Sequence, residues 1–351
     1  MRTRACLIVL TVVATTAVGL APADARPATP HSSVAGTPAA IHVLSRTQPS
    51  DRVVKYTVST PSLQMSTTTP LRVDVVLPTG YRTHPHQRYP VLYALPGTSS
   101  IADTMIDEVK TVAMTRNLNL IVVAPDGTYN GDGGGFYTNW VDQGTSRGIA
   151  NWETFHNSEL VPWIDSRFRT VRSRTGRAIV GISQGGFGSM SYAARHPALY
   201  GAAASFSGAV DIFHNPTCRV GASALIATIM TGLNQVEPFA PFGNPATDAA
   251  NWKAHDPGTL VSKLRHTKVD LFTSAGVPGT SDLGDPSMAA GAGLEAVLHQ
   301  SNVCFKQAAR AAGLKIGWHS WTVGLHTVPY MNRSMKAYLP ILMKYFRSHG
   351  H

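Results

Sequence analysis

The sequence has few cysteines, no internal repeat and no long apolar run beyond its first residues. Its three cysteines, Cys6, Cys218 and Cys304, form no Cys-x-x-Cys motif and no His/Cys cluster of the kind that binds structural zinc. No segment after the N-terminus approaches the roughly 20 uninterrupted apolar residues that span a membrane. These absences argue against zinc modules, membrane-spanning proteins and repeat proteins, and we predict neither a metal nor a cofactor.

The chain is basic, with a formal net charge of +10, but its positive residues are dispersed. One dense arginine run, at 167–177, lies in a predicted loop and is not interleaved with the stacking aromatics of a nucleic-acid-binding face. We therefore expect no nucleic-acid partner. A positive surface on an exported protein would instead favour peripheral contact with an anionic cell envelope.

The N-terminus has the features of an export signal. Two basic residues, Arg2 and Arg4, precede an apolar stretch at 5–20, and an Ala-x-Ala cleavage signal follows at 23–25. We predict a signal peptide at 1–25 and a secreted or cell-envelope location, with a retained N-terminal anchor as the alternative.

Two cysteines remain beyond the leader, and an exported chain with one such pair favours a disulfide between Cys218 and Cys304. Two buried free thiols are the alternative. Residues 26–50 are rich in Pro, Ala, Ser and Thr, which predicts a flexible lead-in.

The rest of the chain, 51–348, is long enough for one large α/β domain. Segments 53–58 and 71–77 alternate between apolar and polar residues, which predicts an antiparallel pair. The later short strands are apolar throughout, as in a parallel sheet with helices on both faces. These strands are predicted at 91–95, 118–124, 178–181, 202–206 and 269–273. Residues 211–262 depart from this alternation of short apolar strands and helical segments, which predicts a small cap insertion over the catalytic face.

A Gly-Ile-Ser-Gln-Gly motif at 181–185 follows one of these strands and precedes a predicted helix. A G-x-S-x-G sequence between strand and helix is the nucleophile elbow of the α/β-hydrolase fold, whose tight turn needs small residues around the serine. We predict that Ser183 is the catalytic nucleophile. Its tetrahedral intermediate needs two amide donors, and the amide of Gln184, directly after the serine, is one candidate.

A serine nucleophile needs a basic histidine and an orienting acid, which in this fold follow in the order Ser, acid, His. His326 lies on a predicted loop after an extended segment, at the edge where ligands bind, and is the favoured base; His319, inside that segment, is the alternative. Two acids are candidates. Asp282 follows the strand at 269–273 through a loop and is favoured by this position, while Glu295 lies on a predicted amphipathic helix.

Several blocks resemble the antigen 85 mycolyltransferases and the wider esterase D-like group of α/β-hydrolases. The similarity runs from about residue 53 to 348. The matching blocks are Phe-Tyr-Thr-Asn-Trp at 136–140, Asn-Trp-Glu-Thr-Phe at 151–155, Gly-Ile-Ser at 181–183, Ser-Asp-Leu-Gly at 281–284 and Ser-Asn at 301–302.

The resemblance implies that Glu295 is the acid, because the family's acid lies on a helix segment similar to 293–298. It likewise implies that His326 is the base, although Gly-Trp-His-Ser-Trp at 317–321 also looks like the family's histidine motif. The second oxyanion donor is implied to be the amide of Thr98. Where the mycolyltransferases bind trehalose through an Asp and an Arg, this sequence has Pro96 and Ser99.

The sequence therefore predicts an exported serine esterase that acts on acyl-ester or lipid substrates through an acyl-enzyme. The alternative is an acyltransferase of the mycolyltransferase or diacylglycerol acyltransferase type, which would move the acyl chain to a sugar or glycerol hydroxyl. A non-catalytic cell-wall or matrix-binding relative is a third reading. The candidate machinery is Ser183, Glu295 and His326 with the amides of Thr98 and Gln184, and Asp282 is the alternative acid.

Overall fold

The computed structural model describes residues 41–64 and 70–351. The predicted signal peptide at 1–25 and the lead-in at 26–40 lie outside these residues. A nine-stranded sheet organises the described part, in the order β1-β2-β3-β5-β4-β6-β7-β8-β9. The strands are β1 His42–Ser50, β2 Val53–Ser59, β3 Leu71–Val76, β4 Val91–Leu95, β5 Ile121–Pro125, β6 Arg177–Ile182, β7 Ala202–Phe206, β8 Lys268–Val277 and β9 Gly317–Val323.

The sheet is antiparallel at one end and parallel elsewhere. The pairs β1–β2, β2–β3 and β3–β5 are antiparallel, and the pairs from β5 through β4 and β6 to β9 are parallel. The α-helices in the described ranges are α1 Thr111–Met114, α2 Val161–Arg167, α3 Gln184–Arg195, α4 Pro216–Ile229, α5 Ala249–His255, α6 Met288–Ala311 and α7 Val328–Ser348. Short π-helical segments, Thr154–Leu160 and Met230–Asn234, precede α2 and follow α4.

The two faces of the sheet are covered by different helices. Successive side chains of a strand point to opposite faces, so Tyr93 and Leu95 of β4 join one apolar cluster and Leu92 and Ala94 join another. The first cluster includes residues of α2, α3 and α6, and the second is closed mainly by α7. The predicted doubly wound, mostly parallel sheet with helices on both faces is confirmed.

The sheet extends further towards the N-terminus than the sequence predicts. The lead-in prediction for 26–50 is wrong at 42–50, because β1 pairs antiparallel with β2 over these residues. The strand lies at the edge of the sheet and almost all of its residues are exposed. Backbone pairing with β2, supported by a hydrogen bond between the Ser45 and Thr57 hydroxyls, holds this strand, so its sequence needs no apolar alternation.

The irregular region between β7 and β8 contains α4 and α5. The Cys218–Cys304 disulfide joins α4 to α6. The Phe242 ring lies 5.9 Å from the ring of Phe187, which is one helical turn beyond Ser183 on α3. The insertion at 211–262 therefore packs against the helix that follows the candidate nucleophile.

Glu153, in the Asn-Trp-Glu-Thr-Phe block, connects this insertion to the end of α3. Its carboxylate accepts hydrogen bonds of 2.8 and 3.1 Å from Arg195 and of 2.7 Å from His196, and His255 of α5 lies 3.6 Å away. Burial alone would raise the pKa of Glu153, but the hydrogen bonds from His196, His255 and Arg195 outweigh it and hold the pKa far below the usual 4.5. The charged carboxylate is thus the form that stabilises the fold.

We expect Glu153→Gln to lower the free energy of unfolding by about 2 kcal/mol at neutral pH, since the variant loses charged hydrogen bonds in a buried cluster. A carboxyl whose pKa is lowered by folding contributes stability above its unfolded pKa, and this contribution disappears as the pH falls through the folded pKa. Urea unfolding of both proteins between about pH 3 and 8 measures the difference. Exposed Glu237, replaced by Gln, is the control; a Glu153→Gln effect that does not shrink at acid pH would contradict the expectation.

Candidate active site

Ser183 lies in a strained turn between β6 and α3. Its backbone has φ 56° and ψ −118°, a conformation that side-chain-bearing residues rarely adopt. The neighbouring glycines make the turn sterically feasible: a Cβ on Gly181 would lie 1.9 Å from the carbonyl oxygen of Gly185, and one on Gly185 would lie 2.3 Å from that of Leu95. The geometry is that of the nucleophile elbow predicted from the motif.

The turn presents the serine at the carboxyl edge of the parallel sheet. Ser183 is partly exposed, and its amide donates to the carbonyl of Phe206 at the end of β7, at 2.9 Å. Helix α3 begins at the next residue, so the positive end of its dipole points towards the serine. A developing negative charge at this position would be stabilised by the helix.

His326 and Glu295 form a close pair at the same edge. His326 Nδ1 lies 2.9 Å from Glu295 Oε2, and both side chains are largely buried. The histidine follows β9, and its amide donates to the carbonyl of Gly291, one turn before Glu295 on α6. The loop carrying the histidine is therefore fixed to the helix carrying the acid.

The Glu295 carboxylate is buried and fully hydrogen-bonded. Its Oε1 accepts from the Ser207 hydroxyl at 2.6 Å and from the Ser274 amide at 2.8 Å. Burial opposes ionisation, but the hydrogen bond and charge of His326, followed by the bonds from Ser207 and Ser274, hold the pKa of Glu295 below its usual 4.5. The residue is thus an anion that can orient His326 and stabilise its protonated form.

A short series of contacts links this pair to the candidate nucleophile. The Ser183 amide bonds to Phe206, and Ser207, the next residue, bonds through its hydroxyl to Glu295. Among residues 41–64 and 70–351, no hydrogen bond joins the Ser183 hydroxyl to His326. The structure brings the three residues to one edge of the sheet, and their direct proton transfer remains a prediction.

The alternative acid and the alternative base have other partners. Asp282 accepts hydrogen bonds from the Gly279 amide and the Tyr330 hydroxyl. His319 lies within β9, where it stacks on the ring of Phe272 at 4.2 Å and bonds to Asp270 at 3.1 Å. Neither residue contacts the Glu295–His326 pair through a hydrogen bond in the described ranges.

Thr98 and Gln184, the predicted oxyanion donors, lie next to each other. Gln184 Nε2 donates to Thr98 Oγ1 at 3.1 Å, and a Cβ on Gly97 would lie 3.4 Å from the Cβ of Ser183. Within the described residues, neither backbone amide donates to a backbone carbonyl. Both amides are therefore free to bind an oxyanion, and this role remains a prediction.

Asp126, directly after β5, anchors the loop that carries Thr98. Its buried carboxylate accepts hydrogen bonds of 2.8 Å from the amides of Ala102 and Arg72. Burial raises the pKa of Asp126 to about 6, although these bonds and the Arg72 charge oppose the shift. The loop is thus tied to the antiparallel part of the sheet through a carboxylate in its core.

Some of these supporting residues have no recognisable signal in the sequence. Ser207 reaches Glu295 from the end of β7, with φ 48°. Arg333 of α7 donates to the Val323 carbonyl at 3.0 Å and to the Ser274 hydroxyl at 2.9 Å, so it fixes the loop before His326. Their roles depend on neighbours distant in the chain, which is why sequence patterns did not identify them.

Comparison with known proteins places this geometry in a family. The Esterase family model matches residues 65–340. The chain belongs to this family. The matched residues include most strands of the described sheet and both Glu295 and His326.

Three similar proteins illustrate the range of this family. Esterase Rv1288 of Mycobacterium tuberculosis H37Rv is 33% identical over 210 residues, which are 60% of this chain and 42% of that protein. Diacylglycerol acyltransferase/mycolyltransferase Ag85A of Mycobacterium bovis BCG is 29% identical over 266 residues, 73% of each chain. The crystal structure of Mycobacterium tuberculosis MPT51 superposes with a TM-score of 0.62 at 22% identity, covering 81% of this chain and 98% of that one.

These comparisons confirm the resemblance to the antigen 85 and esterase D-like group, and with it the α/β-hydrolase fold. The relatives are named as esterases and acyltransferases, so the esterase-family chain is related to enzymes of both kinds. The chain matches less than half the length of the Rv1288 protein. In the described ranges, none of the helices combines the length and apolar character needed to cross a bilayer.

Proposed function

We propose that this protein is an exported serine esterase that cleaves acyl esters through a covalent acyl-enzyme. The observation that carries the proposal is the strained turn at Ser183, since the combination of φ 56° with ψ −118° lies outside the ordinary left-handed region and such strain is concentrated at active sites. The Glu295–His326 pair at the same edge supports it, because a serine hydroxyl is a weak nucleophile without a base.

In the proposed reaction, Ser183 Oγ attacks the ester carbonyl carbon while His326 Nε2 takes the hydroxyl proton. Glu295 holds the imidazole through Nδ1 and stabilises its positive charge. The carbonyl oxygen becomes an oxyanion bound by the amides of Thr98 and Gln184. The carbon–oxygen bond to the alcohol then breaks, and the departing oxygen takes the proton from His326.

The acyl group on Ser183 is released by a second attack. Water, deprotonated by His326, adds to the acyl carbon, the acid leaves, and the serine regains its proton. If a sugar or glycerol hydroxyl attacks instead of water, the same residues transfer the acyl group. The similarity to Ag85A over 73% of each chain favours this transferase as the second candidate. Pro96 and Ser99, at the positions of the trehalose contacts, favour water.

A fluorophosphonate probe tests the nucleophile directly. We expect wild-type protein to form a covalent adduct on Ser183 and folded Ser183→Ala to form none, because the probe reacts with activated serine hydroxyls. Peptide mapping by mass spectrometry locates the adduct. Ser189→Ala is the control, since this serine is buried on the same helix and bonds to the Ala204 carbonyl. Folded wild-type protein without an adduct would reject the serine mechanism.

The choice between hydrolysis and transfer needs a second measurement. Turnover of p-nitrophenyl esters of increasing acyl length, with and without trehalose or a diacylglycerol, gives the ratio of free acid to acylated acceptor. We expect free acid to dominate. A product ratio dominated by the acylated acceptor would instead identify a transferase.

A further inference from the structure

Asn234 is a buried amide from the insertion that bonds to a loop beside the candidate active site. It ends the π-helical segment Met230–Asn234 and is 1% exposed. Its Oδ1 accepts from the Gly134 amide at 2.9 Å, and its Nδ2 donates to the Gly134 carbonyl at 3.0 Å. The Asn234 side chain therefore satisfies both the amide and the carbonyl of Gly134, which lies 100 positions away in the sequence.

The loop bound in this way is glycine-rich because it has no room for side chains. A Cβ on Gly133 would lie 1.5 Å from Asn234 Oδ1, and one on Gly134 would lie 1.9 Å from Gln184 Nε2. The segment at 133–136, named here the glycine loop, is thus held between the insertion on one side and the Gln184 side chain on the other. This close packing explains why residues 133–135 are all glycine.

The glycine loop contacts Gln184 and also Ser99, the residue after Thr98. The Gly133 carbonyl accepts from the Ser99 amide at 2.8 Å, which fixes the residue after Thr98. The Phe136 amide donates to Gln184 Oε1 at 3.2 Å, and Gln184 Nε2 donates in turn to Thr98 Oγ1. Displacement of the glycine loop would therefore move both candidate donors.

A surface arginine holds Asn234 from the other side. Arg147 Nε donates to the Asn234 carbonyl at 3.0 Å, Arg147 Nη2 donates to the Leu233 carbonyl at 3.3 Å, and the guanidinium lies over the Tyr129 ring. Asn234 is thus fixed through its backbone by Arg147 and through its side chain by Gly134. Its orientation is set on both sides before any substrate binds.

We propose that Asn234 is a positioning residue that couples the insertion to the oxyanion site. It acts through the glycine loop: when Asn234 holds Gly134, the amides of Thr98 and Gln184 converge on the position of the oxyanion. This inference rests on the proposed serine mechanism. It predicts that changes in the insertion alter the rate of acyl transfer without altering the triad residues.

Asn234→Ala tests this inference against a matched control. Asn251, also in the insertion, donates through Nδ2 to the Phe242 carbonyl at 2.9 Å and makes no hydrogen bond to the glycine loop among the described residues. Loss of one oxyanion donor typically lowers kcat by 10²–10³-fold. We expect Asn234→Ala to lower kcat for a short p-nitrophenyl ester, and the rate of fluorophosphonate labelling, by about 10–100-fold with KM within about threefold. Asn251→Ala should stay within about threefold of wild type in each quantity.

The urea unfolding midpoints of Asn234→Ala and Asn251→Ala show whether a lower kcat reflects a general loss of stability or a loss of positioning. The inference would be overturned if Asn234→Ala folds and has the same kcat as Asn251→Ala. In that case, labelling of the wild-type protein would still support the serine mechanism. Absence of wild-type labelling would reject both. If Asn234→Ala does not fold, Arg147→Ala loosens the same segment from the surface. We then expect a smaller fall in kcat in the same direction, and an unchanged kcat would overturn the inference.

Discussion

His326→Ala is expected to lower kcat for a short ester near pH 8 by about 10⁴–10⁶-fold, the range seen when the base of a serine triad is removed. The physical reason is that Ser183 then has no group to take its proton, and the leaving alcohol has none to supply one. Steady-state turnover, with residual rates compared with Ser183→Ala, measures the effect. Because the imidazole transfers protons and does not hold the bound substrate, KM should change far less than kcat.

His319→Ala is the matched control for this prediction, because the sequence alone leaves His319 as a second candidate base. The His319 ring stacks on Phe272 within the sheet and bonds to Asp270. Its removal should reduce stability moderately and leave kcat within about threefold of wild type. An inactive, folded His319→Ala beside an active His326→Ala would reverse the assignment.

The second large effect is expected for Glu295→Gln, with kcat lower by about 10³–10⁴-fold, as for other triads whose acid loses its charge. The amide fills the same volume but cannot stabilise the protonated imidazole. It also places an amide group where Ser207 and Ser274 donate hydrogen bonds. Turnover near pH 8 measures the loss.

Asp282→Asn is the control, since Asp282 bonds to Gly279 and Tyr330. We expect its kcat to stay within about threefold of wild type, and the opposite pattern would make Asp282 the acid.

The pH dependence of Glu295→Gln gives an additional check. The pKa of Glu295 lies below its usual 4.5, so the carboxylate is charged throughout the neutral range. The ratio of wild-type to variant kcat should therefore be constant at about pH 8–9, where an ordinary imidazole is neutral with or without a neighbouring carboxylate. The ratio should fall towards acid pH, first because Glu295 favours the protonated base in the wild type and then because Glu295 itself becomes protonated. A ratio that changes between about pH 8 and 9 would show that another group dominates the effect.

Local sequence patterns do not distinguish Glu295 from Asp282 as the acid. Loop position after β8 favours Asp282, and only the family resemblance favours Glu295. In the structure, α6 packs so that Glu295 faces the end of β8 and meets the loop after β9. Which face of a helix meets which loop depends on packing between distant elements, so local patterns left both acids open.

The edge strand β1 is missed for a related reason. Its residues are mostly exposed and show no apolar alternation, since backbone hydrogen bonds to β2 hold it in place. Composition in 26–50 therefore suggested a flexible segment throughout. The strand is recognisable only when its pairing partner is known.

The sequence by itself determined the features that depend on neighbouring residues: the apolar strands, the helices between them and the turn at Ser183. A few adjacent side chains and the backbone sterics of Gly181 and Gly185 are enough to dictate that turn. Tertiary structure, and no local pattern of residues, places Glu295 against His326 and Asn234 against Gly134. These contacts join residues 31 and 100 positions apart, because side chains so distant in sequence meet only when the whole sheet and its helices have packed.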